Sequence, residues 1–306
     1  MYVLALFAAC FALGARRQLR DPAGAARLRS RVWGANVAIL IPIAIIYAAT
    51  TIRVDAALAA AFACGVAAWW LTVGVSLAYA RIVEPGDRRA RGAIAMSAAF
   101  PNTIFLGFPL AHLAYGTPGL QVAVVYDVIG PIVPAVVLST AIAQSHAGTA
   151  VADRATARDV LLGILRSPPT IAMLVGVLVR VAVLDQPLEL EVVGGLIGPV
   201  AGATGFVAAG LSIPLQQLAH VGREVAQVGG AIVVRMAVAP ALLALTGLAT
   251  GVSIPHVLLL VSAMPTAIHA LVIAREHDLQ TEVVRLAILA STAIAIVVVP
   301  LFTLVR

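Results

Sequence analysis

Long apolar runs, separated by short clusters of Arg, Asp, Gly and Pro, fill the chain from end to end. Length is the signal here, because about 20 apolar residues at 1.5 Å each cross a ~30 Å hydrocarbon core as a helix. The polar punctuation predicts ten helices, at 1–14, 32–51, 57–80, 92–114, 118–143, 160–183, 192–217, 225–249, 254–274 and 281–304. The first is short, about 21 Å by helical rise, so it is either thinly embedded or begins upstream of Met1.

The longest polar connector, AQSHAGTAVADRATARD at 143–159, leaves five spans on either side. An odd number of spans per half makes the halves enter the membrane in opposite directions, which is the arithmetic of an inverted repeat. The predicted organisation is one membrane domain over 1–306, with repeat one at 1–143, a connector at 144–159 and repeat two at 160–306. AAFPNTIF at 98–105 aligns with SAMPTAIH at 262–269, at a constant offset of 164 residues, and each lies in the fourth span of its half. The sequence therefore predicts broken helices 4 and 9 that cross.

Composition agrees with the pattern. With 61% apolar and 11% charged residues, and a mean hydropathy of +1.03, the chain falls outside the range of soluble globular proteins. The fold class is an all-α integral membrane protein. The formal charge of +6 raises nucleic acid as a partner, but all twenty basic residues are Arg and sixteen lie in or beside loops 1–2, 3–4, 5–6, 7–8 and 9–10. That asymmetry follows the positive-inside rule. It places RRQLRDPAGAARLRSR (16–31) and RIVEPGDRRAR (81–91) in the cytoplasm of a cell with both termini outside, and leaves no call for nucleic acid. The start, MYVLALFAACFALG, has no basic n-region and reads as a first membrane helix rather than a cleavable signal. Cys10 and Cys64 lie in apolar segments without a CxxC or Cys/His cluster, so they read as small core residues and not as a disulfide or metal site.

Candidate chemistry gathers at the breaks. Proline removes a donor and clashes with the carbonyl four residues back, freeing backbone groups that hydrocarbon cannot satisfy. Asn102 and Thr103 follow Pro101, Thr266 follows Pro265, and His269 comes four residues after that proline. Their side chains can satisfy the freed backbone or contact a solute. Gly107 permits close packing beyond the first break. Asp127 and Arg235 fall near the middle of their spans, where isolated charges are expensive. Either they form a structural ion pair, or Asp127 couples a proton or cation while Arg235 helps hold an organic anion. Trp69 and Trp70 read as packing residues. No HExxH, GxSxG or P-loop pattern occurs, so no enzyme, cofactor or ATP drive is expected.

These residues resemble the auxin efflux carrier family, which includes the plant PIN proteins and many bacterial permeases. The resemblance spans nearly the whole chain: FPNTIFLGFPL (100–110) is similar to the first crossover, RMAVAP (235–240) to the eighth helix, and AMPTAIHALVIAREHD (263–278) to the second crossover and its loop, with GARRQLR and NVAILIP (36–42) in support. It implies the fold of bile-acid symporters and sodium/proton antiporters, in which spans 1, 2, 6 and 7 form a scaffold that often dimerises and spans 3–5 and 8–10 a mobile transport domain. It also implies elevator-like transport of a small organic anion, such as indole-3-acetate or a dicarboxylate, across the inner (plasma) membrane, with H⁺ or Na⁺ as candidate coupling ions. The chain departs from the family in having His at 269, where a small polar residue is usual, and in its short first helix. A cation/proton antiporter using Asp127 is the alternative within the same fold, and a non-transporting membrane sensor the alternative outside it.

Overall fold

The computed structural model describes residues 2–147, 162, 165–182, 196–197, 199–200, 203–208, 210–211 and 224–304. Every regular element among them is helical, as expected of a chain whose backbone must satisfy its own hydrogen bonds in hydrocarbon. The helices are α1 (Tyr2–Arg20), α2 (Pro22–Ala35), α3 (Ile41–Thr51), α4 (Ala56–Val83), α5 (Arg88–Ala99), α6 (Phe108–Asp127), α7 (Val133–His146), α8 (Pro168–Ala182), α9 (Glu224–Val233), α10 (Ala239–Thr250), α11 (His256–Ser262), α12 (His269–Glu276) and α13 (Thr281–Leu304). Among the described residues, three stretches are long and apolar enough to cross a membrane: Ala56–Val83, Ala226–Thr250 and Thr281–Val298. Shorter apolar helices run over Ala38–Thr51 and Pro168–Ala182. Most of the connector at 144–159 and of the segment at 192–217 lies outside the described residues.

Prolines explain why several apolar runs are divided. Asn36–Leu40, Thr103–Gly107, Val128–Ile132 and Val234–Val238 are wide π-helical turns, and a proline follows each by two residues: Pro42, Pro109, Pro134 and Pro240. Adding a residue to the turn moves the carbonyl that the pyrrolidine ring would otherwise strike. Within α6, Gly116 (φ 65°, ψ −161°) adopts a conformation that only glycine takes readily, with Pro118 two residues on. The helix there is two segments, which agrees with the expected boundary between spans 4 and 5.

One expectation changes. The polar stretch 16–31 was expected as a loop, but it is helical: α1 runs on to Arg20 and α2 begins at Pro22. Asp21 is the reason. Its carboxylate accepts from the Gly24 amide at 2.8 Å and pairs with Arg17 at 3.1 Å, while Pro22 supplies a helix-ready φ at the first position. Asp55 and Asp87 cap α4 and α5 in the same way.

Packing groups the chain into two discontinuous units. One contains Met1–Arg53, Thr103–Val128 and Ser167–Val221. In it α3 meets α8 closely: Thr50 Oγ1 donates to the Gly176 carbonyl at 3.1 Å, and Arg180 donates to the Thr50 carbonyl at 2.8 Å. Gln121 reaches Thr51 Oγ1 at 2.6 Å, and Thr204 donates to Asn36 Oδ1 at 3.0 Å. The other unit contains Val54–Asn102, Ile129–Arg166 and Gly222–Arg306. Its centre is the alanine-rich α5, whose small side chains let neighbours close in on it; Ala90 and residues 92–99 are all buried. Ile94, Met96, Phe100, Val283, Val284 and Ala287 fill the core around it.

Candidate functional site at a paired helix break

In the second unit α5 stops at Ala99 and the chain turns extended at Phe100 (φ −104°, ψ 115°), one residue before Pro101. Helix α11 likewise stops at Ser262, three residues before Pro265. The two freed backbones satisfy each other. The Asn102 amide donates to the Pro265 carbonyl at 2.7 Å, and the Ala267 amide to the Phe100 carbonyl at 2.9 Å, forming an antiparallel bridge between Pro101 and Thr266. The two stretches that align in sequence therefore meet in space.

The remaining loose ends close through side chains. Pro101 has no N–H to give the Ser97 carbonyl, four residues back. Thr266 Oγ1 supplies that donor at 2.8 Å. The Thr266 amide in turn donates to Ser291 Oγ at 3.1 Å, and Ser291 donates to the Ala287 carbonyl. At a helix C-terminus the last carbonyls lack partners and carry the negative end of the macrodipole. Arg235, which is 1% exposed, meets two of them: Nη1 donates to the Ala99 carbonyl at 2.8 Å and Nη2 to the Ser262 carbonyl at 2.6 Å. One guanidinium holds the ends of both α5 and α11.

Asn102 is buried beside this bridge. His269 opens α12 and lies edge-on to Phe100, ring centroids 5.6 Å apart, with Nε2 buried and, among the described residues, without a hydrogen-bond partner. Phe100 also packs against Trp69 at 6.4 Å, so Trp69 serves packing as expected, while Trp70 is about half exposed. Cys64 is buried and Cys10 partly so, both with free thiols.

Thr103 and Asp127 belong to the first unit. Thr103 opens the wide turn Thr103–Gly107, whose Phe105 backbone is approached so closely by Gly205 that any side chain there would strike it. Gly205 makes that turn packable. Asp127 ends α6 and is fully buried. Thr103 lies within interaction range of its carboxyl, yet among the described residues neither oxygen has a partner at hydrogen-bonding geometry. Asp127 falls in the first unit and Arg235 in the second.

Sequence reasoning points to Pro101, Asn102, Thr103, Pro265, Thr266 and His269 as substrate contacts and to Asp127 and Arg235 as a coupling or ion pair; Pro101, Asn102, Pro265, Thr266, His269 and Arg235 fall in the second unit, Thr103 and Asp127 in the first. It missed Ser97, Phe100 and Ser291. Ser291 could have been found, since it follows Asp127 by the same 164 residues that separate Pro101 from Pro265.

Two comparisons bear on what such a break is for. The family model described as membrane transport protein matches residues 30–303. An "uncharacterized transporter" of Methanothermobacter thermautotrophicus is 28% identical over 222 residues, covering 69% of this chain and 67% of the relative.

Proposed function

This chain belongs to the membrane transport protein family, that of the auxin efflux carriers, and we propose that it is a secondary active transporter of a small carboxylate whose site is the paired break. The observation that carries the reading is the bridge between 100–102 and 265–267, which buries Asn102 and Thr266 where two helices end. Broken helices at membrane depth are how transporters present backbone dipoles and polar side chains to a solute. Pro101, Asn102, Thr103, Pro265, Thr266 and His269 form the substrate contacts in this reading, with ten spans in two inverted repeats over 1–143 and 160–306.

Elevator-like movement draws support from the discontinuous packing units. Residues 1–53 and 167–221, which hold the expected scaffold spans 1, 2, 6 and 7, group together, although 103–128 joins them. A homodimer in the plasma membrane with both termini outside completes the reading. Reconstitution into proteoliposomes tests it: Asn102→Ala should cut carboxylate flux by about tenfold or more, the effect of one lost charged hydrogen bond, with the melting temperature retained. Undiminished flux would remove Asn102 from the site.

A second reading, a cation/proton antiporter, is favoured by one observation: the buried Asp127 carboxylate has no hydrogen-bond partner among the described residues. Ionisable groups at membrane depth commonly carry protons or ions. A pH jump in the presence of Na⁺ or K⁺, without organic anion, separates the two; exchange under those conditions selects the antiporter.

A further inference from the structure

In transporters built on broken helices, the C-terminal ends of the half-helices are where a coupling cation binds, and the N-terminal ends face anionic groups. Here the C-terminal position is already filled. Each helix end carries about half a negative charge. Ala99 closes α5 and Ser262 closes α11, and their carbonyls accept from the two terminal nitrogens of Arg235 at 2.8 and 2.6 Å. Two half-charges are matched by one guanidinium, which stays protonated at any physiological pH. The group is 1% exposed, so it holds this place without competition from water.

We propose that Arg235 is a resident cation occupying the position that a coupling Na⁺ or K⁺ would take at the break, so that the carboxylate is carried without such an ion bound there. This rests on the carboxylate-transporter reading above and deepens it: the charge selectivity of the site is set by a side chain tethered to the mobile helix ends. Arg235 is then a positioning residue, which keeps the two ends together and neutral, and does not itself grip the solute.

The test has two arms. In the first, the melting temperature of the purified wild-type protein, and its flux of malonate and of indole-3-acetate in proteoliposomes, are compared in NaCl, KCl and choline chloride. The expected result is no difference among the salts. In the second, Arg235→Ala should melt roughly 5–10 °C lower, as expected for two buried carbonyls left without donors. It should recover part of that loss in millimolar methylguanidinium or NaCl, salts that do not stabilise the wild type; Arg235→Lys should fall between the two. Wild-type stability or flux that needs Na⁺ or K⁺ overturns the proposal. So does Arg235→Ala that melts like the wild type, or that is rescued by none of these cations. If Arg235→Ala cannot be recovered as folded protein, the wild-type salt comparison decides alone. Failure of the carboxylate reading looks different: neither acid is carried in any salt, while the melting comparisons still report on Arg235.

Discussion

The two proline breaks begin alike and finish differently. After Pro265 the loose ends are closed: Thr266 donates its hydroxyl to the Ser97 carbonyl and its amide to Ser291 Oγ, and Ser291 donates in turn to the Ala287 carbonyl. After Pro101 the chain runs into a wide turn, and the buried carboxylate of Asp127 is left without a partner of good geometry. Ser291 and Asp127 stand at the same place in the 164-residue offset. One position thus carries a hydroxyl that finishes a hydrogen-bond network, and the other a carboxyl whose oxygens have no hydrogen-bond partner among the described residues. A satisfied network rigidifies, whereas a buried ionisable group without hydrogen bonds is costly and persists where it has work to do. The difference points to the second break as the brace and to the first as the place where chemistry is left open.

Making the first half like the second is the strongest test of that contrast. Asp127→Ser should lower flux about 10- to 100-fold while the melting temperature holds or rises, because a buried carboxyl without hydrogen bonds has gone. A protein that keeps its flux would remove Asp127 from the mechanism. The reciprocal change is Ser291→Ala, which strands the buried Thr266 amide at a cost of about 1–3 kcal/mol. Calorimetry should show lower stability with per-molecule flux largely kept, and unaltered melting would mean that Ser291 is no brace. Thr266→Val removes the donor to the Ser97 carbonyl and should cost about 0.5–1.5 kcal/mol; Thr266→Ser, which retains the hydroxyl, should restore most of it.

The smallest effect belongs far from both breaks, at the end of α7. His146 is half-buried against Gly92 of α5, and burial, opposed by its hydrogen bond to the Ile142 carbonyl and aided by Arg91, Arg88 and Arg81, lowers its pKa below the usual value. A histidine whose folded pKa is lowered binds fewer protons folded than unfolded, so its contribution is present above about pH 6.5 and is lost as pH falls through the folded value. Melting temperature should therefore drop between about pH 7.5 and 5.5, less so in His146→Gln, with the effect of Ser291→Ala unchanged. A wild type and His146→Gln that respond alike would remove the histidine as the cause.

Much of this was legible from local chemistry. FPN and AMPT mark where helices must stop, since proline has no amide to donate, and the structure ends α5 and α11 ahead of those prolines. The prolines at 42, 109, 134 and 240 also foretell irregular turns, though not that each would widen the turn before it. Arg235 was visible as a charge at membrane depth, but the carbonyls it donates to were not. Nothing in RMAVAP says that two carbonyls, at Ala99 and Ser262, will be brought within 2.8 and 2.6 Å of it.

The sequence by itself determined that the chain is helical and membrane-bound, where its helices fail, and which two failures correspond. Those properties depend on hydrophobic length, proline chemistry and a repeat offset, all of which are local or countable. Only the tertiary structure decided how the freed groups are satisfied, because each freed carbonyl or amide finds its partner on a different helix. Thr266 lies 169 residues from the Ser97 carbonyl it serves, and Arg235 lies 136 residues from that of Ala99.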